Sequence, residues 1–178
     1  ALGTNVDGSS NTAIGHQSIE VFEATSENDG NNTGVGYNSG RFIQTGENNT
    51  FLGSKAGQGI SDPRLDGDNN TAVGASAGVL LQGVANCNTA VGAEALDELL
   101  TGVNNTAVGK GALNQLDDSE SNNVAVGYLA GGDLDGGNQN TIIGSNSQAT
   151  GGTGTNQTVV GYATTGQANN TVTLGNAS

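Results

Sequence analysis

A chain of 178 residues with 31 glycines, 33% hydrophobic and only 3% aromatic residues, lacks the material for one thick globular core. Charged residues make up 12%, too few for a typical disordered chain. They are also lopsided: 17 acids stand against Arg41, Lys55, Arg64 and Lys110, a net charge of −13 that argues against nucleic acid as a partner, since phosphate contacts need clustered bases.

The chain opens inside a repeat, at Ala1-Leu2-Gly3. Ten copies of a five-residue core follow, closed by Gly15, Gly36, Gly53, Gly74, Gly92, Gly109, Gly127, Gly144, Gly161 and Gly175, at spacings of 21, 17, 21, 18, 17, 18, 17, 17 and 14 residues. A fixed period of this kind is the signature of a solenoid and takes precedence over any local motif. Each core, as in Asn70-Thr71-Ala72-Val73-Gly74, alternates β-branched or aliphatic residues with small ones between turn formers, which predicts a short strand. The residue before the glycine is always Val, Ile or Leu, and it is expected to point inward. The small residue before that, such as Ala72 or Ala90, then sits close to a second layer or a partner chain.

Paired asparagines precede most cores, among them Asn31-Asn32, Asn48-Asn49 and Asn69-Asn70. Asparagine tolerates a left-handed corner, and stacked copies can bond their amides up the coil, so a structural ladder is expected. The Asn-x-Thr sequons that result, as at Asn31 and Asn104, need no other explanation. Cys87, the sole cysteine, occupies the first slot of one pair and reads as a tolerated substitution.

Two of the first four spacings are long, and their inserts carry residues that do not repeat. The first holds Ile19, with Val21 and Phe22 between Glu20 and Glu23, and the second holds Pro63, Arg64 and Leu65. Unique residues are the ones that can tell one receptor from another, so these six are the candidate receptor-binding set, with packing back onto the neighbouring coil as the alternative. Further along, Ala95-Leu96 with Leu99 and Ala112-Leu113 with Leu116 have the spacing of one helical face, which predicts short helical inserts or else a second strand. Acid pairs at Asp66 with Asp68 and Asp133 with Asp135 could offer oxygens to calcium, but they lack a full calcium-loop pattern and read equally as solvated turns.

Catalytic chemistry finds little to work with. His16 shares the column after the closing glycine with Tyr37, Ser54, Lys110, Tyr128 and Tyr162, a place that tolerates anything, and it reads as a surface residue. The tyrosines of that column could stack on a sugar or form a plain exposed spine. No signal peptide and no run of roughly 20 apolar residues that would span a bilayer is evident. Acidity with so little lysine also suits a saline setting, with an ordinary acidic surface protein as the alternative.

The strings NTAVG, NTAIG and NVAVG, ending in NTVTLGN, resemble the head repeats of trimeric autotransporter adhesins and the repeat segments of phage and viral tail fibres. The resemblance covers nearly the whole of residues 1–178 and implies a left-handed parallel β-roll of about ten coils, wound as a homotrimer and cut from a longer fibre or adhesin. It implies a non-catalytic, extracellular protein that attaches to a receptor or glycan on a host surface, on a virion tail fibre or a bacterial cell surface. Charge, hydropathy and motifs add the expectation of no bound nucleic acid, no membrane insertion by this segment and no cofactor apart from the calcium option. A purely structural spacer and an ice- or mineral-binding solenoid stay open beside it.

Overall fold

The computed structural model describes residues 2–6, 8–23 and 30–175. Its twelve strands are three residues each: β1 (Thr4–Val6), β2 (Thr12–Ile14), β3 (Val21–Glu23), β4 (Thr33–Val35), β5 (Thr50–Leu52), β6 (Thr71–Val73), β7 (Thr89–Val91), β8 (Thr106–Val108), β9 (Val124–Val126), β10 (Thr141–Ile143), β11 (Thr158–Val160) and β12 (Val172–Leu174). Ten of them form one parallel sheet in the order β2, β4, β5 and so on to β12, while β1 pairs with β3 alone. Register is strict, with Thr89 beside Thr106, Ala90 beside Ala107 and Val91 beside Val108. The chain is therefore a parallel β-solenoid of about nine turns, and nine steps of about 4.8 Å give a sheet roughly 43 Å long.

The closing glycines keep successive coils this close. A methyl group on Gly92 would stand 2.6 Å from the carbonyl of Gly109 in the next coil, and Gly92 holds φ at +135°, where side chains are strained.

Asparagine fixes the opposite end of each strand. The first of each pair adopts the left-handed conformation, as at Asn48 (φ 57°) and Asn104 (φ 60°), and Cys87 shares it at 57°. The second is buried and joins three coils. The backbone N–H of Asn105 donates to Oδ1 of Asn88 (3.0 Å), its own Oδ1 accepts from the N–H of Asn123 (3.0 Å), and its Nδ2 donates to the carbonyl of Glu120 (2.7 Å). This pattern runs from Asn32 through Asn49, Asn70, Asn88, Asn105, Asn123 and Asn140 to Gln157.

The interior is a thin column rather than a broad core. Ala72, Ala90, Ala107 and Ala125, the middle residues of their strands, are buried against Ala77, Ala95, Ala112 and Ala130 and the Leu81, Leu99, Leu116 and Leu134 row. Volume is conserved coil by coil: where Phe51 takes the middle place, Gly57 faces it and any Cβ there would overlap the ring. Where Gly34 leaves space, Ile19 fills it.

Two expectations are corrected. The aliphatic residue before each glycine faces outward, because side chains alternate along a strand and the middle residue takes the interior slot, small in most coils but Phe51, Ile142 and Val159 in three. No helix occurs among the described residues. Leu96 and Leu113 are buried but hold φ at 52° and 51°, and their N–H groups donate to Ala112 and Ala130 of the next coil (3.1 and 3.0 Å), not back along the chain as a helix requires.

The asparagine column makes a testable prediction. Asn105→Ala leaves a buried carbonyl and a buried N–H without partners, a loss of about 2–4 kcal/mol. In a chain of this size the melting temperature should fall on the order of 10 °C. Asn104→Gly, at the exposed left-handed corner beside it, should change it little in the same thermal melt.

Candidate functional site

With the small residues turned inward, residues one and three of every strand in the long sheet face out. One row reads Thr12, Thr33, Thr50, Thr71, Thr89, Thr106, Val124, Thr141, Thr158 and Val172. The other reads Ile14, Val35, Leu52, Val73, Val91, Val108, Val126, Ile143, Val160 and Leu174. Ile14 is 60% exposed, and Val91, Val108 and Val126 are 36–38% exposed although they touch like residues on both sides. None of the 17 acids or four bases lies in these ten strands. The result is a continuous, uncharged strip on a chain of net charge −13. Three residues wide, it covers on the order of 400 Å², within the roughly 300–600 Å² of the largest patch on a typical monomer, which is often functional.

The candidate receptor-binding residues are placed quite differently. Ile19, Phe22 and Leu65 are wholly buried in the core, and Val21 is half-buried in β3. Pro63 is exposed, and Arg64 forms an ion pair with Glu23 (2.8 Å). Arg41 bonds Glu20 in the same region (2.6 Å), and the Gln17 amide and the Arg41 guanidinium together hold the Glu20 carboxyl below its ordinary range. The long inserts thus fold back into the coil, and of the six residues only Val21, Pro63 and Arg64 offer surface to a ligand.

The acid pairs are not assembled into a cage. Asp66 accepts the hydroxyl of Thr45 (2.9 Å), and Asp68 accepts the backbone N–H of Glu47 (2.7 Å), so both serve inter-coil bonding. Asp133 and Asp135 are exposed beside a shallow groove with Gln115 and Gln148. Among the described residues no group of three or more His, Cys, Asp or Glu side chains is placed to hold a metal ion. His16 is exposed and stacks on Tyr37, ring centres 5.6 Å apart, and Cys87 is exposed at its corner. No helix of the described residues is long and apolar enough to cross a membrane.

No family model, curated protein or solved structure matches the chain. What the sequence reading missed is the outward aliphatic row. The signal for it was present: the middle residue is Ala in five of the ten cores, at Ala13, Ala72, Ala90, Ala107 and Ala125, and a slot that repeatedly admits only a methyl group belongs to a narrow interior.

One acid is held away from its ordinary state. Burial of the Asp97 carboxyl raises its pKa to about 6, the neighbouring Glu98 and Glu94 add to the rise, and its Oδ1 is buried without a partner. A carboxyl whose folded pKa lies above its unfolded one destabilises the fold at neutral pH. That cost fades as pH falls through about 6 and is gone near the unfolded value of 3.8. Asp97 is only half-buried, so solvent screening trims the effect to about 1 kcal/mol. Asp97→Asn should therefore raise the melting temperature by roughly 2–4 °C at pH 7.5, and a melt at pH 4.5 should show most of that gain gone.

Proposed function

We propose that this chain is a segment of a trimeric attachment fibre, a left-handed β-roll whose three copies meet through the flat face of the long sheet. The observation that carries the reading is the uncharged Thr and Val/Ile/Leu strip running unbroken over ten strands. Burying such a strip removes apolar surface from water at roughly 25 cal/mol per Å². A partner that matches a strand period over its whole length needs the same period, and another copy of the chain has it. The threefold stoichiometry comes from the resemblance of the repeats to adhesin heads and tail-fibre segments. On this reading the segment works outside the cell, on a virion fibre or a bacterial surface, and acts by binding a host surface.

An ice- or mineral-binding role would use the same strip differently. A crystal plane calls for rows of even height, and here Ile14, Leu52, Ile143 and Leu174 interrupt the valines with longer side chains. Uneven aliphatic rows interlock well with one another, which favours chain-to-chain packing.

Sedimentation equilibrium tests the reading. The chain should sediment at three times 17.5 kDa in moderate salt, and Val91→Glu with Val108→Glu should shift it to the single-chain mass with its β signal intact. A monomer for the unaltered chain sinks the trimer.

A further inference from the structure

The chain places its aromatic residues in two opposite ways. Phe22 and Phe51 are wholly buried and Phe42 is half-buried, with the Arg41 guanidinium 4.7 Å above its ring. All three tyrosines are instead exposed, at 49% for Tyr37, 50% for Tyr128 and 71% for Tyr162, and each follows a closing glycine, so they share one column along the rod. His16 covers the Tyr37 ring. Tyr128 and Tyr162 have no such ring partner among the described residues. They stand two coils apart with Ser145 between them, so the spacing of their positions is about 9.6 Å.

A polar groove begins one residue past this column, at Leu129 and Asn146. Asn146 lies in the coil between the two tyrosines, its N–H bonded to the carbonyl of Tyr128 (2.8 Å), and it lines a shallow groove with Gln115 and Asp133. Exposed amphipathic rings one residue from a groove lined by amides and a carboxylate make a surface for sugars: pyranose C–H faces stack on the rings, and the hydroxyls bond to the amides and donate to the carboxylate.

We propose that Tyr128 and Tyr162, together with the groove that Asn146, Gln115 and Asp133 line, bind an extended neutral β-linked glycan lying along the rod. In a fully extended β-1,4 chain alternate sugars present the same face, and one disaccharide unit spans the two coils between the tyrosines. The intervening sugar passes over the small Ser145. Neutrality follows from charge: Asp133 and Asp135 edge the groove, the whole chain carries −13, and the one base of the tyrosine column, Lys110, lies 3.7 Å from Glu94. The proposal deepens the attachment reading above and rests on it for its purpose.

Native electrophoresis in gels cast with hydroxyethyl cellulose, a neutral β-1,4-glucan, or with alginate, a polyanion, tests it. The unaltered chain should be slowed by the neutral polymer and not by alginate. Tyr128→Ala with Tyr162→Ala should raise the concentration needed for half-retardation at least tenfold. Phe at both positions should keep most of the retardation, and Tyr37→Ala should leave it unchanged. These are exposed side chains, and circular dichroism on each variant confirms that the coil is intact. An unaltered chain that runs freely through the neutral gel, a double alanine variant slowed as much as the parent, or stronger retardation by alginate each overturns the proposal. Mass measured on the same samples separates it from the trimer: a retarded monomer supports the tyrosine strip while sinking the trimer, and an unretarded trimer sinks the strip alone.

Discussion

Most backbone hydrogen bonds of this chain run between neighbouring coils, with only short turns such as Ala95 to Gly92 and Ala112 to Gly109 closed within one coil. At the strands this produces the parallel sheet, and at the corners it continues through Gly40, Gly57, Gly78, Leu96 and Leu113, whose N–H groups all donate to the residue before the equivalent place one coil on. That demand holds the coils about 4.8 Å apart everywhere. It explains why a closing glycine is needed, why the corners turn through left-handed residues, and why leucines spaced three apart form no helix. The core follows from the same demand, since such short coils enclose only a narrow channel.

The asparagine pairs show how one residue type satisfies that demand twice. The outer member supplies the left-handed turn, and where two such side chains meet, as Asn104 and Asn122 do at 3.3 Å, they bond at the surface. The inner member is sealed from water and would be costly there if any of its polar atoms lacked a partner. It escapes that cost because coils are stacked in register, so the column of amides is stable only as a column. A second set of inter-coil bonds runs the other way, with the N–H of Glu47 donating to Asp68 and that of Asp68 donating to Asn86 (2.6 Å). The two sets brace each coil from both sides.

The period, the strands and the left-handed asparagine corners were all legible in the sequence, because each depends on residues that recur. The direction of the strand faces was not. Hydrophobicity alone sends Val91 inward and leaves Ala90 to the outside, yet the channel admits Ala90 and refuses Val91 unless a neighbour shrinks, as Gly57 does for Phe51. Ile19, Phe22 and Leu65 stayed open between receptor contact and packing onto the next coil for a related reason: nothing in a single chain tells a unique apolar residue that faces a ligand from one that fills a gap left by a glycine. The corner at Leu96 was hidden because leucine seldom adopts positive φ, and only the pull of the next coil's carbonyl holds it there.

Strict register along the sheet has a consequence for how such a chain changes over time. Because each strand of the sheet pairs only with its immediate neighbours in the stack, a whole coil can be duplicated or lost and the remaining coils keep their partners, with new contacts only at the splice. Length then varies in steps of about 4.8 Å, one coil at a time. A loss or gain of a single residue inside a strand has no such tolerance, since it turns every later side chain of that strand to the wrong face. The rod behaves as a ruler graduated in whole coils, and reach can be adjusted by recombination between repeats without redesigning a single surface.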